Sequence, residues 1–380
     1  MTIGVLKEAF PETRVSLLPE HISQLKKWGT EVLIEEDAGV SAFISDEQYR
    51  AAGATVTNRA SVLKDAGVLL LINLLPETDI SENNSKILLG FYQPLYNAKN
   101  IKRLADQGYT VFSIDMIPRT TRAQPMDVLS SQANIAGYKA VLHAANIFPR
   151  YFPMLMTAAG SIAPAKILIL GAGVAGLQAV ATARRLGGVV EVFDTRPAVK
   201  EEVLSLGAKF VEVEGAADAS KSGGYAVEQT PEFIEKQKEK IAQSAAKADI
   251  IISTAQIPGK KAPILITKKM IEEMKSGSVI IDLAAATGGN TELTENDKTI
   301  SFNGVTIVGN SYLAATMPLD ASKLYGKNII NFLKLIIDKD GNLNLNFEDD
   351  LVKGTCITHD HLITNERVAA LLPQQTAINI

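Results

Sequence analysis

Residues 166–194 read KILILGAGVAGLQAVATARRLGGVVEVFD. The run 167–170 is short and wholly apolar, as a parallel strand buried on both faces requires. Gly171, Ala172, Gly173, Val174, Ala175 and Gly176 follow at once, then a helix with small residues on one side (Gly176, Ala179, Ala183). A second apolar strand, 189–193, closes the unit on Asp194. The glycines serve different ends. Gly171 allows the tight turn, Gly173 lets backbone approach a pyrophosphate, and Gly176 brings helix and strand close. The helix N-terminus offers free N–H groups to the phosphates. Asp194, about 20 residues further on, can accept both hydroxyls of an adenosine ribose, and its charge repels a 2′-phosphate. The unit therefore reads as a site for NAD rather than NADP. Arg196 follows this strand-end acid without replacing it. A bare GxGxxG occurs in many loops, but strand, glycines, helix, strand and acid together are a much stronger signal.

The 380 residues suggest two to three domains. A net charge of −4 without a basic block argues against nucleic acid. One cysteine, Cys356, rules out an internal disulfide framework and suits a reducing compartment. The start, MTIGVLKEAF, lacks the charge and apolar core of a signal peptide. The longest apolar stretch, 66–75, is broken by Asn73 and is too short for a bilayer, which takes about 20 residues. The expectation is a soluble chain, brought to any membrane by a partner.

Strand-like runs (3–6, 32–35, 68–72, 87–91, 110–114) alternate with helical ones (19–28, 46–52, 98–107) ahead of the glycine unit. That alternation predicts parallel sheet with helices on both faces, so the first 125 or so residues form an α/β domain of their own. Residues 118–125 (PRTTRAQP) are a loop, Asp127 is a plausible N-cap, and 126–148 carry apolar residues at helical spacing. Residues 215–230 (GAADASKSGGYAVEQT) lack periodicity and form a long loop, of the kind that is usually a functional lid or disordered. Beyond it come helices 231–246 and 268–274 and strands 250–254 and 279–283. The strongly apolar helix 324–337 is expected to return to the first domain's sheet. The fold class is thus α/β, with two Rossmann-like domains and a cleft between them for the nicotinamide. The first domain, 1–128 plus 312–380, is discontinuous, and 129–311 bind the dinucleotide.

With these residues in view, the chain resembles the alanine dehydrogenase/pyridine nucleotide transhydrogenase family almost from end to end. The landmarks are PETRVSLLPE (11–20), PRTTRAQPMDVLSSQANIAGYKAV (118–141) and MTAAGSIAPAKILILGAGVAGLQAVATARRLG (156–187). TAQIPGKKAP (254–263), GSVIIDLAAATGGN (277–290) and VKGTC (352–356) add to them. Within the family, the likeness is to the NAD(H)-binding component of proton-translocating transhydrogenases more than to the alanine dehydrogenases. The latter carry a substrate-binding lysine just after the strand matching 68–72, and 68–78 here contain none. Their catalytic histidine is matched by Gln93, and their aspartate after Asp282 is missing from 284–287; their carboxylate-binding arginine is kept as Arg14. Oxidative deamination needs a proton acceptor near neutral pH, normally a histidine. None of His21, His143, His359 and His361 falls in the matching position.

The resemblance implies that Arg119, Gln124, Asp127 and Ser130 hold the nicotinamide end. Taken alone, they also read as a capped loop-to-helix junction with Arg119 and Arg122 as solvated charge. It further implies that Gly171, Gly173, Val174, Ala175 and Gly176, with Asp194, Thr195 and Arg196, carry the pyrophosphate and adenosine. Gly224 and Tyr225 belong to a loop that folds over the nucleotide. Gln256 faces the nicotinamide side, with its contact assigned to its backbone, and Lys260 and Lys261 are solvated. NADP(H) sits on a partner subunit, and membrane-spanning partners carry the protons. The chain itself is a homodimer, cytoplasmic and peripheral at the inner face of the membrane. No metal is implied. Two rival readings are an alanine-type amino-acid dehydrogenase and a nucleotide-sensing protein without catalysis.

Overall fold

The computed structural model describes residues 1–81, 85–213 and 230–373. The chain begins β1 (Thr2–Val5), α1 (Pro19–Lys26), β2 (Glu31–Glu35), α2 (Asp46–Ala51), β3 (Thr55–Thr57) and α3 (Arg59–Asp65). It continues through β4 (Val68–Leu70), β5 (Ile87–Gly90), α4 (Ala98–Asp106) and β6 (Thr110–Ser113). A 3-10 turn, Thr121–Met126, leads into the long α5 (Val128–Ile147). Next come β7 (Leu155–Thr157), β8 (Gly160–Ile162), β9 (Lys166–Leu170), α6 (Val174–Arg185), β10 (Val189–Phe193), α7 (Lys200–Ser205) and β11 (Lys209–Phe210). They are followed by α8 (Pro231–Ala245), β12 (Ile250–Ser253), α9 (Lys268–Glu272), β13 (Val279–Asp282), β14 (Thr299–Phe302) and β15 (Val305–Val308). The last described elements are α10 (Pro318–Ile336), α11 (Asp350–Thr355), β16 (Cys356–His359), β17 (Leu362–Ile363) and α12 (Glu366–Ala369).

Two compact units result, Met1–Gln132 with Ala315–Ile380, and Ala133–Ala314. The first holds an eight-stranded sheet, β17-β16-β6-β5-β4-β1-β2-β3. Strands β1 to β6 pair in parallel. One face buries Ile22 and Leu25 of α1 with Ile329, Phe332, Leu333 and Ile336 of α10; the other buries Val62 of α3 with Ile101 and Leu104 of α4. Burial on both faces is why the central strands β4 and β5 read as unbroken apolar runs. Helix α10 does return from the C-terminal segment, but that segment also adds β16 and β17, both antiparallel, which the apolar runs did not announce. His21 is structural here: its Nδ1 accepts the Leu18 N–H at 2.9 Å, and burial pushes its pKa down.

The second unit holds the sheet β11-β10-β9-β12-β13-β15-β14. Its strands are parallel except β14, which runs antiparallel to β15. Helices α5 and α6 cover one face, and α8 and α9 the other. β7 and β8 form a separate antiparallel hairpin, absent from the sequence expectation because its segment is exposed and unpatterned. No helix among the described residues is long and apolar enough to cross a membrane.

Candidate functional site

At the end of β9 the chain turns through Gly171, whose φ of +101° lies in the region that favours glycine. A Cβ there would sit 2.5 Å from Thr254 Oγ1, which donates to the carbonyls of Leu170 and Gly171 at 3.2 and 3.1 Å. Gly173 N-caps α6 with extended backbone (φ −81°, ψ −170°). A Cβ on it would meet nothing within 4 Å, so the turn faces open space there. A Cβ on Gly176 would lie 1.8 Å from the Gly171 carbonyl oxygen, so only glycine allows α6 this close to the strand end. Val174 is 40% exposed and Ala175 partly so. One contact had no signal in the sequence: Gly137 of α5 packs on the Ala175 carbonyl, where a Cβ would come within 2.1 Å.

Asp194 follows β10, its side chain only 6% exposed. Its Oδ2 accepts the Ala172 N–H at 2.7 Å, which ties the acid to the glycine turn. Arg196 closes on it, donating from its backbone N–H (2.8 Å) and Nε (2.9 Å) to Oδ1 and from Nη2 (2.7 Å) to Oδ2. The arginine is therefore bound to the acid, and Thr195 lies half-buried between them. Gln256 follows β12, exposed, with its Nε2 donating to the Leu283 carbonyl at 2.9 Å. Glycines, acid and glutamine thus gather outside the carboxyl ends of the neighbouring strands β10, β9 and β12. Strand order reverses at β9, and that is where open α/β sheets bind ligands. Gly224 and Tyr225 lie outside the described residues.

The four residues of the PRTTRAQP segment and the start of α5 belong to the first unit. Asp127 caps α5, accepting the Ser130 N–H at 2.9 Å on Oδ1 and the Ser130 hydroxyl at 2.6 Å on Oδ2. Arg119 and Gln124 are exposed on the preceding turn. Helix α10 holds that turn: Asn328 and Asn331 donate to the Pro125 carbonyl at 2.9 and 3.1 Å, and Ser131 donates to Asn328 at 2.7 Å. Arg122 is exposed, as a surface charge would be, and forms a two-pronged ion pair with Asp349, each contact at 2.6 Å. Arg14 is oriented by its neighbours as well. Its Nε and Nη2 reach Glu12 at 2.8 and 2.6 Å, and its Nη1 reaches Gln132 at 2.7 Å. Among the described residues no group of three His, Cys, Asp or Glu side chains could hold a metal.

The sequence and the fold have counterparts. The sequence matches the family description "Alanine dehydrogenase/PNT, N-terminal domain" over residues 4–136 and "Alanine dehydrogenase/PNT, C-terminal domain" over 140–366. It is 44% identical over 376 residues to the first part of the NAD(P) transhydrogenase subunit alpha of Rhodospirillum rubrum, covering 96% of this chain and 98% of that one. It is 46% identical to the NAD(P) transhydrogenase subunit alpha of Cereibacter sphaeroides, covering 96% of this chain and 71% of that relative. The crystal structure of transhydrogenase from Sinorhizobium meliloti superposes with a TM-score of 0.87 at 43% identity, covering 96% of this chain and all of that one.

Proposed function

This chain belongs to the alanine dehydrogenase/PNT family, PNT standing for pyridine nucleotide transhydrogenase, and from that premise we propose that it is the NAD(H)-binding subunit of a proton-translocating transhydrogenase. Gly171, Gly173, Val174, Ala175 and Gly176 hold the pyrophosphate, and Asp194, Thr195 and Arg196 the adenosine ribose. Arg119, Gln124, Asp127 and Ser130, with the backbone of Gln256, orient the nicotinamide end, and Gly224 and Tyr225 are assigned to nucleotide binding as well. The bound NADH supplies a hydride, which passes to NADP⁺ on a partner subunit. Membrane-spanning partner chains carry the protons and dock this chain at the inner face of the membrane.

The observation that supports this reading most is the Asp194–Ala172 hydrogen bond, which joins the ribose acid to the pyrophosphate turn in one rigid element. Hydride transfer between two nicotinamides releases no substrate proton. It needs the two rings stacked at about 3–3.5 Å with correct faces, which calls for positioning groups rather than a general base. The side chains assigned to the nicotinamide end suit that role, being amide, hydroxyl and charged groups on a turn fixed by Asn328, Asn331 and Asp349. Amino-acid oxidation would need a base, and Gln93 stands where alanine dehydrogenases carry their histidine. The test is a fluorescence titration of the purified chain with NADH and NADPH, followed by two activity assays. NADH should bind in preference to NADPH. Hydride exchange should appear only after an NADP(H)-binding transhydrogenase component is added, and pyruvate with ammonia should give no NADH oxidation. Turnover with pyruvate and ammonia by the chain alone would establish the dehydrogenase reading instead.

A further inference from the structure

The loops that leave β12 and β13 are short of regular structure and rich in small residues, and the Ala262 N–H joins them by donating to the Thr287 carbonyl at 2.8 Å; most of the side-chain contact between them comes from one residue. Asn290 is fully buried. Its Oδ1 accepts the Ala255 N–H at 3.0 Å, and its Nδ2 donates to the Ala255 carbonyl at 2.9 Å and the Pro263 carbonyl at 2.8 Å. Both backbone polar groups of Ala255 are thus held by one amide, and the far end of the 255–263 loop by the same nitrogen. Asn290 is itself fixed, since its N–H donates to Asp282 Oδ2 at 2.6 Å and its carbonyl accepts the N–H groups of Leu265 and Ile266 at 2.8 and 3.0 Å. Asp282, also fully buried, spends its other oxygen on the Ala284 N–H. A second tie runs from the Gln256 side chain to the Leu283 carbonyl.

The position of this clamp within the sheet gives it meaning. The order β11-β10-β9-β12-β13-β15 is that of a doubly wound dinucleotide fold, in which the first three strands carry the adenosine half and the next three the other mononucleotide half. The loops after β12 and β13 therefore belong to the nicotinamide half, whereas the glycine turn and Asp194 belong to the adenosine half. We infer that Asn290 is a positioning residue for the nicotinamide end alone. It holds Ala255, and through it the backbone of Gln256, at the height the ring requires, and it touches no ligand itself. This assignment rests on the NAD(H) reading above.

The experiment compares two ligands that share the adenosine half. NADH binding is followed by fluorescence, and ADP-ribose binding by calorimetry, in the wild type and in Asn290→Ala and Asn290→Ser. Wild-type protein that binds neither ligand would remove the NAD(H) reading before any variant is considered. If the wild type binds both, Asn290→Ala should weaken NADH by about 10- to 100-fold, the effect of three lost hydrogen bonds at one loop. ADP-ribose should change by less than about twofold, as expected of a site outside the altered loops. Asn290→Ser, which keeps one hydroxyl for Ala255, should fall between wild type and alanine for NADH and again spare ADP-ribose. Equal losses for both ligands, no loss for either, or failure of both variants to melt cooperatively would make Asn290 a structural residue of the whole unit and overturn the assignment.

Discussion

Asp194, proposed above as the ribose acceptor, already uses both of its oxygens within the protein. It accepts from Ala172 and is gripped by Arg196, so its carboxylate orders the glycine turn and neutralises the nearest cation at the same time. Replacing it with alanine removes the proposed ribose acceptor and the carboxylate that Arg196 binds. Asp194→Ala should weaken NADH by about 1–3 kcal/mol, the cost of leaving buried hydroxyls unpaired. It should also narrow the gap between NADH and NADPH, because the negative charge that repels a 2′-phosphate is gone. Titrations with both nucleotides measure this, and an unchanged NADH affinity would show the acid misassigned. Glu8 in the first unit makes a different claim. It accepts the Ile72 N–H at 2.6 Å and the Asn73 side chain at 2.9 Å, yet burial, with a smaller push from Glu12, raises its pKa to about 6. The folded state thus holds this proton more tightly than the unfolded chain, whose carboxyl titrates near 4.5. The resulting stabilisation is fully present below the unfolded value and is lost as pH rises through about 6. Glu8→Gln does not titrate, so its stability relative to wild type should improve by about 1.5 kcal/mol between pH 4.5 and about pH 7. Urea melts at the two ends of that range read the change directly, and any pH-independent cost of the weaker amide acceptor cancels. A difference that stays flat would mean the carboxyl is solvated.

At the scale of the element, the β9–α6 turn separates two kinds of glycine that look alike in the sequence. Gly176 is there for packing: a Cβ would drive into the Gly171 carbonyl at 1.8 Å, and backbone cannot swing aside as a side chain can. Gly173 has ordinary extended backbone and open space around it, so an alanine fits the protein but occupies the space a pyrophosphate would use. Gly176→Ala should therefore destabilise the chain by about 1–3 kcal/mol through overpacking. Gly173→Ala should melt like wild type and still bind NADH poorly. Thermal melts and NADH titrations on the two variants form one test, and identical behaviour of the pair would defeat it. The physics that makes this element work also made it readable: consecutive apolar residues, glycines at fixed offsets and a terminal acid are local signals. The return of α10 was readable for a similar reason, since its run of Ile329, Ile330, Phe332, Leu333 and Ile336 has to find a core. The antiparallel additions were not. β16 and β17 meet at Asp360 and His361, both at positive φ (47° and 63°), where asparagine or glycine would have marked the turn. The Asn290 clamp was equally silent, because an asparagine in a loop of small residues has no period and its partners lie 27 and 35 positions away.

For the whole molecule, the feature that calls for a partner is the β7–β8 hairpin. It pairs with neither sheet, and a two-stranded hairpin is at best marginally stable alone in water. It is tied down at its base, where the Ala165 N–H donates to the Phe152 carbonyl at 2.9 Å. Beyond that base Met154 and Met156 are 62% and 76% exposed, and Tyr151, just before it, is 53% exposed, an apolar group with open strand edges beside it. Such an edge is a template for pairing with a second chain, and a closed two-fold contact satisfies both copies at once. The family resemblance implies a homodimer, and on that reading this hairpin is where the contact would form. Sedimentation equilibrium across a micromolar concentration range should find wild-type protein as a dimer. The double substitution Met154→Asp with Met156→Asp places four like charges across such an axis and should shift the equilibrium to monomer. Neither methionine belongs to the glycine turn, the acid or the loops after β12 and β13, so NADH affinity should stay within about twofold, the usual limit for a surface change. A wild type that remains monomeric, or a doubly charged variant that remains dimeric, would leave the hairpin without this role. Loss of NADH binding along with the dimer would carry a different message: the nucleotide site is completed only when two copies meet.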